Sequence, residues 1–461
     1  MSYKMEEKEL HGIKRTIFVW TLLAGTFTMS ISQSSLSTAY PTLMHYFGVD
    51  APTIQWLTTG FMLIMCVMMP LSPWLLNNFS FKKIYLSVLL IFMVGTVMII
   101  MAPNFILALL GRALEAVAVG VLFPSFQTVL LTITPVKKRP SVMGLAGLVM
   151  GSALACGPII SGIILNYLSW QSLFGFFLFV IAIVFVSALF NIYDVLPRQH
   201  SGFDFISVIA SFGLIGILYV VQTYGSKLEM TPALLVLLIL SLAFTAYFIY
   251  RQFTLKEPLL KLRVMRVVNF DLAVLLTGIA YISLIVVTVV YPLYYQKILH
   301  TSVLVSGLAL VPPAILLSIL NPLTGKLTEK IGFKKTLLIG MAMLVCGWGA
   351  LVVFAGNLTL VSMIIFAMLI EGGNAFVMMP ATTLGANSLA ESQISHGTAI
   401  ITTVRQLLGA LGVTVATLIL AAGSGSISSV NGYRNAFIFF CLLEIIGFIL
   451  ACAIRQTKDN K

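Results

Sequence analysis

Fourteen runs of apolar residues follow one another along this chain with little between them, and that succession decides the fold class. They lie near residues 15–38, 53–76, 84–102, 104–130, 141–165, 169–190, 204–224, 230–250, 270–294, 303–325, 336–355, 358–383, 394–421 and 432–454. Each is close to the ~20 residues a helix needs to cross ~30 Å of hydrocarbon. In lipid the backbone must satisfy its own hydrogen bonds, which a helix does within one segment. Residue usage agrees, at 59% hydrophobic and 9% charged, against ~45–50% and ~25% in soluble domains. An all-α membrane protein with 14 transmembrane helices is expected.

The net charge of +12 would suit nucleic acid if it formed one patch, but the charges alternate from loop to loop. Lys4, Lys8, Lys14, Arg15, Lys82, Lys83, Lys137, Lys138, Arg139, Arg198, Arg251, Lys256, Lys261, Arg263, Arg266, Lys326, Lys330, Lys334, Lys335, Arg455, Lys458 and Lys461 fall on one side, and only Lys227, Lys297 and Arg434 on the other. The positive-inside rule then places both termini in the cytoplasm, in a multi-pass protein of the cell membrane. The bilayer is the expected macromolecular partner, with no nucleic acid. The first apolar run is too long, and lacks a small-residue cleavage site, for a removable signal peptide. Cys66, Cys156, Cys346, Cys441 and Cys452 lie in apolar runs without C-x-x-C spacing, and His11, His45, His200, His300 and His396 are scattered. No disulfide framework or metal site is implied. Without a Walker motif or catalytic triad the chain is expected to be neither an enzyme nor an ATP-driven pump, and to need no cofactor.

An internal repeat refines the architecture. Pro70–Lys83 and Pro322–Lys335 both begin Pro-Leu and end Phe-Lys-Lys, offset by 252 residues; Tyr40-Pro41 recurs at Tyr291-Pro292, Glu115 at Glu371 and Pro124 at Pro380, offset by 251, 256 and 256. Two homologous halves are expected, each of six spans. The expected domains are a cytoplasmic N-terminus (1–14), a first six-helix bundle (15–190), a linker carrying two extra transmembrane helices (191–268), a second six-helix bundle (269–454) and a cytoplasmic tail (455–461).

Polar residues inside the spans are the candidates for function, because charge in hydrocarbon is costly. In span 1, Ser30, Gln33, Ser37 and Tyr40 recur at helical spacing and could line a cavity; equally, hydroxyls there can bond back to their own helix. Arg112 and Glu115 in span 4 share a helix face, as a functional pair or a static strut. Glu371, followed by Asn374, is mid-span in span 12. Gly144, Gly147, Gly151 and Gly157 bare a strip of span 5 for close crossing, with Pro158 as a kink. Gly325, Glu329, Gly332 and Lys334 form a tight basic turn between spans 10 and 11, and Asn77, Lys82 and Lys83 occupy its first copy. Arg405 in span 13 is expected to pair with an acid or cap a kink.

Several motifs then carry a family resemblance. Gly325-Lys-Leu-Thr-Glu-Lys-Ile-Gly-Phe-Lys-Lys335 resembles the G-x-L-x-D-R-x-G-R-K signature of the major facilitator superfamily, and Pro70–Lys83 looks like a decayed first copy, with Asn77, Asn78 and Ser80 at the acid, Arg and Gly positions. Gly111-Arg-Ala-Leu-Glu115 resembles the span 4 R-x-x-Q-G motif, with Glu115 for Gln and Ala116 for Gly. Gly157-Pro158-x-x-Ser161-Gly162 resembles the antiporter motif of drug:proton exporters, with Ser161 for one Gly. The two extra spans, Val289–Gln296 and Arg405–Gly412 look like the fourteen-span subgroup, whose usual span 1 acid is replaced here by Ser32.

The resemblance implies the major facilitator fold, two six-helix halves plus two extra central helices, with spans 1, 4, 9 and 12 lining a cavity and span 14 supporting the outside, which makes Glu444 a structural carboxyl. It implies a proton-coupled multidrug efflux antiporter working by alternating access, or else an exporter of one endogenous metabolite or lipid-like compound. The expected partners are small amphipathic drugs and protons, handled by a monomer. Glu115, Glu371 and Arg112 are the expected proton-coupling residues. Gln33, Ser37, Tyr40, Phe123, Asn374, Phe376 and Met378 are the expected cavity lining, with Met and Phe suiting varied ligands. Gly151, Gly157, Pro158 and Gly162 carry the antiporter motif, and the two turns are the expected gates.

Overall fold

In a computed structural model of the chain, residues 12–198, 201–227, 229–422 and 430–455 are described. Every regular element among them is a helix. The long ones are α1 (Gly12–Phe47), α2 (Trp56–Asn78), α3 (Phe81–Ile100), α4 (Phe105–Thr132), α5 (Arg139–Tyr167), α6 (Trp170–Asn191), α7 (Phe205–Lys227), α8 (Pro232–Thr254), α9 (Val268–Lys297), α10 (Val311–Ile331), α11 (Phe333–Val353), α12 (Leu360–Asn387), α13 (Ile394–Ala422) and α14 (Val430–Cys452).

Twelve of the described helical segments are long and apolar enough to cross a membrane by length and composition, two fewer than the 14 expected. The two that fall short are α1 and α7. Helix α1 has 36 residues, but its second half is crowded with serines, Gln33 and Tyr40, which dilute its hydropathy. The apolar part of α7 is only Phe205–Val221, after which Gln222, Thr223 and Tyr224 follow.

The chain divides into two compact units, Met1–Pro135 with Cys156–Phe203, and Val136–Ala155 with Asp204–Lys461. In the first, α4 packs on α2 and α3, and α6 on α1 and α3. Backbone contact sets the α3/α4 crossing: a Cβ at Gly95 would lie 2.6 Å from the Gly111 carbonyl oxygen, and one at Gly111 2.7 Å from that of Gly95. Asn104 caps α4 by accepting from Leu107 N at 3.0 Å, as expected of Asn before a helix.

The decayed first turn, at the end of α2, grips the link that follows α6. Trp74 Nε1 donates to Ser201 O at 3.2 Å, and Asn78 Oδ1 accepts from Ser201 N at 3.2 Å while its Nδ2 donates to Ser201 Oγ at 3.1 Å. The rings of Trp74 and Phe203 are 4.6 Å apart.

The second unit repeats the glycine device where α11 crosses α12, since a Cβ at Gly373 would lie 2.8 Å from Gly340 O. Its core holds Trp348, Tyr291, Met341, Phe437 and Phe440, none measurably exposed. A polar knot joins three helices inside that core. Trp348 Nε1 (α11) donates to Ser283 Oγ (α9) at 2.8 Å, and Ser283 donates in turn to Glu444 Oε1 (α14). This fits the structural role expected of Glu444.

Helices α7 and α8 are tied at their ends. Asp204 caps α7, accepting from Ser207 N at 3.2 Å, and pairs with Arg251 NH2 of α8 at 2.8 Å. Partial burial works against the Asp204 charge, but bonds from the Ser207 hydroxyl and Arg251 outweigh it and hold the carboxyl below its usual range. Gln252 Nε2 donates to Ser207 Oγ at 2.9 Å and Gln252 Oε1 accepts from Leu260 N at 3.0 Å; beyond it Lys261 N donates to His396 Nδ1 of α13 at 3.4 Å.

Candidate functional site: two buried acids in unlike surroundings

The two acids singled out by the repeat are both buried, Glu115 at 0% and Glu371 at 4% exposure, but their neighbours differ. In the first unit the α3/α4 crossing brings Thr96 against Glu115, whose Oε1 accepts from the Thr96 hydroxyl at 2.7 Å. Oε2 accepts from Arg112 NH1 at 2.5 Å. Arg112 is itself enclosed: Nε donates to Leu57 O at 3.4 Å, and the guanidinium lies 4.3 Å from the Phe61 ring centroid, a favourable placement for a desolvated cation. Both carboxylate oxygens of Glu115 are thus engaged.

In the second unit Glu371, Asn374 and Met378 recur at helical spacing on one face of α12. Glu371 Oε2 accepts from Asn374 Nδ2 at 3.2 Å, and among the described residues that is its one recorded side-chain hydrogen bond. Asn374 Oδ1 has no partner, nor do the hydroxyls of Tyr291 and Tyr295 on the adjoining α9. The two tyrosine rings meet edge-on at 5.9 Å, and Tyr291 lies within electrostatic reach of Glu371. Buried polar groups are normally satisfied. Several unmatched atoms around one acid make a place where a solute or water can bind.

The other expected site residues are dispersed. Tyr40 is bonded to the Thr58 hydroxyl, Gln33 is half-buried, and Ser30 Oγ donates back to Thr26 O at 2.8 Å. The side chain of Ser37 lies outside the described residues. Ser32, at the position of the missing acid, is buried without a partner. Phe123 meets Phe126 edge-on at 6.3 Å, and Met378 is buried. Phe376 packs away from the Glu371 face, its Cβ 2.7 Å from where a Gly340 Cβ would stand.

The glycines of α5 serve different neighbours. In the second unit Gly144, Gly147 and Gly151 face Asn321 and Ser318 of α10; in the first, a Cβ at Gly157 would overlap Ser34 of α1. Pro158 is exposed and Gly162 has nothing within 4 Å of a Cβ, so the antiporter segment makes its tight contact at Gly157.

In the gating turns, Glu329 Oε1 accepts from Ser141 N at 3.2 Å, a carboxylate at the N-terminal end of α5 where the helix dipole favours it. Gly325 abuts Pro140 O, and Gly332 has φ 83°, a backbone that favours glycine. Lys334 Nζ donates to Cys452 O at 2.7 Å, at the C-terminal end of α14. In the first copy Asn77 is half-buried, Lys82 Nζ donates to Leu189 O at 2.6 Å, and Lys83 N bonds the cap Ser80 at 3.4 Å.

Of the two roles expected of Arg405, pairing with an acid finds no carboxylate among the described residues. Arg405 is 2% exposed, and its guanidinium lies 5.3 Å from the Tyr281 ring. The described residues contain no group of three or more His, Cys, Asp or Glu able to hold a metal ion.

These features can be set beside known proteins. A family model described as the Major Facilitator Superfamily matches residues 22–413 and 273–461. The MFS-type transporter YcnB of Bacillus subtilis strain 168 is 32% identical over 99% of this chain and 98% of its own length. The lincomycin resistance protein LmrB of Listeria monocytogenes is 30% identical over 95% of this chain and 96% of its own. Among solved structures, the human organic anion transporter MFSD10 superposes with a TM-score of 0.70 at 13% identity, covering 96% of this chain and 100% of that one. The chain therefore belongs to the major facilitator superfamily, as a multi-span membrane transporter and not an enzyme.

Proposed function

We propose that the chain is a proton-coupled multidrug efflux antiporter that exports amphipathic drugs by alternating access. The observation that carries this reading is Glu371, a buried acid with one side-chain hydrogen bond and unmatched polar atoms around it. Such a carboxyl can exchange a proton with a solute bound beside it. The resistance name of the LmrB relative supports a drug as that solute.

In this reading the two acids divide the work. Glu371 takes up and releases the proton, with Asn374 steering its carboxylate, while Arg112 and Glu115 brace α4. Drug binding near Glu371, Met378 and Tyr291 favours proton release, and reloading from outside favours drug release. Each charge moved across the membrane is worth ~2.3 kcal/mol per 100 mV, enough for uphill export. Helices α1 and α7 also span, giving fourteen spans of the drug:proton subgroup with both termini cytoplasmic in the cell membrane. The 36 residues of α1 rise ~54 Å at 1.5 Å each, ample for a bilayer despite their polar face. The chain acts as a monomer. Glu329 and Gly332 hold the gating turn, and Gly157 the antiporter crossing.

Proteoliposomes test the reading. Glu371→Gln, which keeps shape but carries no exchangeable proton, should bind drug yet lose both uphill efflux and drug-induced proton flux. Uphill pumping by this variant with wild-type pH dependence would overturn the assignment.

A further inference from the structure

The second unit contains a buried cation, Arg405, with no counter-charge among the described residues, and the first unit shows what such a cation ordinarily requires. Arg112 is matched on every side: Nε to the Leu57 carbonyl, NH1 to the Glu115 carboxylate, and the flat face to Phe61. Arg405 has the aromatic face, Tyr281 at 5.3 Å. What it lacks are the oxygens, since Nε and NH1, the same two atoms, have no partner. An unpaired buried charge costs several kcal/mol, and inside a membrane span an ionisable residue by default marks function.

The site is built and not a chance gap. Arg405 and Gly409 are one turn apart on α13, and a Cβ at Gly409 would lie 2.6 Å from Tyr281 Cε1, so the bare backbone seats the ring beneath the guanidinium. Gly412 repeats the arrangement one turn on, where a Cβ would lie 2.7 Å from Ile282 Cγ2 of α9. Helices α9 and α13 are thereby held close, and Arg405 is fixed about eleven residues into α13, or ~16 Å at 1.5 Å per residue, well below the helix end.

We propose that Arg405 and Tyr281 form a binding site for a carboxylate, whose oxygens supply what Glu115 supplies to Arg112. A guanidinium prefers this ligand because its planar N–H donors match a carboxylate better than a spherical ion. The carboxylate can come from a small free acid or from the polar end of an amphiphile lying along the helices. This site is built on α9 and α13, whereas Glu371 is on α12, and it does not depend on proton coupling.

The test uses the purified full-length protein in detergent with no drug present. Its unfolding midpoint is followed against sodium acetate, sodium octanoate and sodium chloride, with sodium isethionate keeping ionic strength constant. The site predicts a saturable rise with a carboxylate, larger than with chloride and absent in Arg405→Gln. Arg405→Lys, which keeps the charge but not the planar donors, should bind about tenfold more weakly, and serves if the Gln variant does not fold. Saturation by octanoate at least tenfold below acetate identifies an amphiphile, and equal potency a small acid. No saturable response in wild type, an equal response to chloride, or an unchanged response in either variant overturns the site.

Discussion

Arg112 and Glu115 offer a quantitative test of how a charged pair is held inside a transporter. In Glu115→Met the guanidinium keeps the Leu57 carbonyl and the Phe61 ring but loses its carboxylate, leaving a cation uncompensated at 1% exposure. Breaking one side of a buried pair costs about 3–5 kcal/mol. Thr96 adds little, because its hydroxyl also has the Phe92 carbonyl at 2.9 Å to fall back on. In Arg112→Met the carboxyl keeps Thr96 and can take up a proton, so the cost is smaller, about 2–3 kcal/mol. Removing both charges leaves an apolar contact of similar volume, which is near neutral for such pairs. The double variant should then recover about 5 kcal/mol or more relative to the sum of the singles, read from equilibrium unfolding in mixed micelles. Single variants costing under ~1 kcal/mol each, with additive effects, would refute the strut and return Glu115 to the exchangeable acids.

Three further expectations follow from particular contacts. Gly157→Val forces a side chain into Ser34 of α1 and should abolish exchange while leaving the protein in the membrane; wild-type efflux would show that the close crossing is dispensable. Ser283→Ala leaves the Trp348 N–H and Glu444 without their shared partner and should cost about 1–3 kcal/mol in unfolding, with transport unchanged below the melting range. Asp204 is held below the usual carboxylate range when folded, so its contribution is present above its ordinary value and lost as pH falls through the folded value, from about pH 4 downward. Asp204→Asn should cost about 1 kcal/mol at neutral pH and flatten that acid-side loss; an unchanged acid profile would count against the tie.

Most of the span order was readable because hydropathy is a local property and lipid enforces it segment by segment. It failed at α1 and α7, where a helix carries enough serine, glutamine or tyrosine that composition alone no longer qualifies it. The acids Glu115 and Glu371 were visible as charges out of place, and Arg112 was near enough in sequence to be seen as a partner. Their surroundings were not visible. Thr96 reaches Glu115 only because Gly95 and Gly111 let two backbones touch, and Tyr291 and Tyr295 read as ordinary aromatics until their hydroxyls prove unmatched. Arg405 shows the same limit from the other side: a buried arginine implies a partner, and only the folded arrangement reveals that no carboxylate among the described residues pairs with it.

Within the first unit the segment from Ser201 to Phe203 is fastened to the end of α2: Ser201 is bonded to Asn78 and Trp74, and the Phe203 ring lies 4.6 Å from that of Trp74. The copy of the basic turn that has lost its acid thus serves as a mooring. Asn78 uses both ends of its amide on one serine, which an Arg at that position could not do because it has donors and no acceptor. Inserting residues at Gly202 would leave the Ser201 mooring in place and slacken only the chain beyond it.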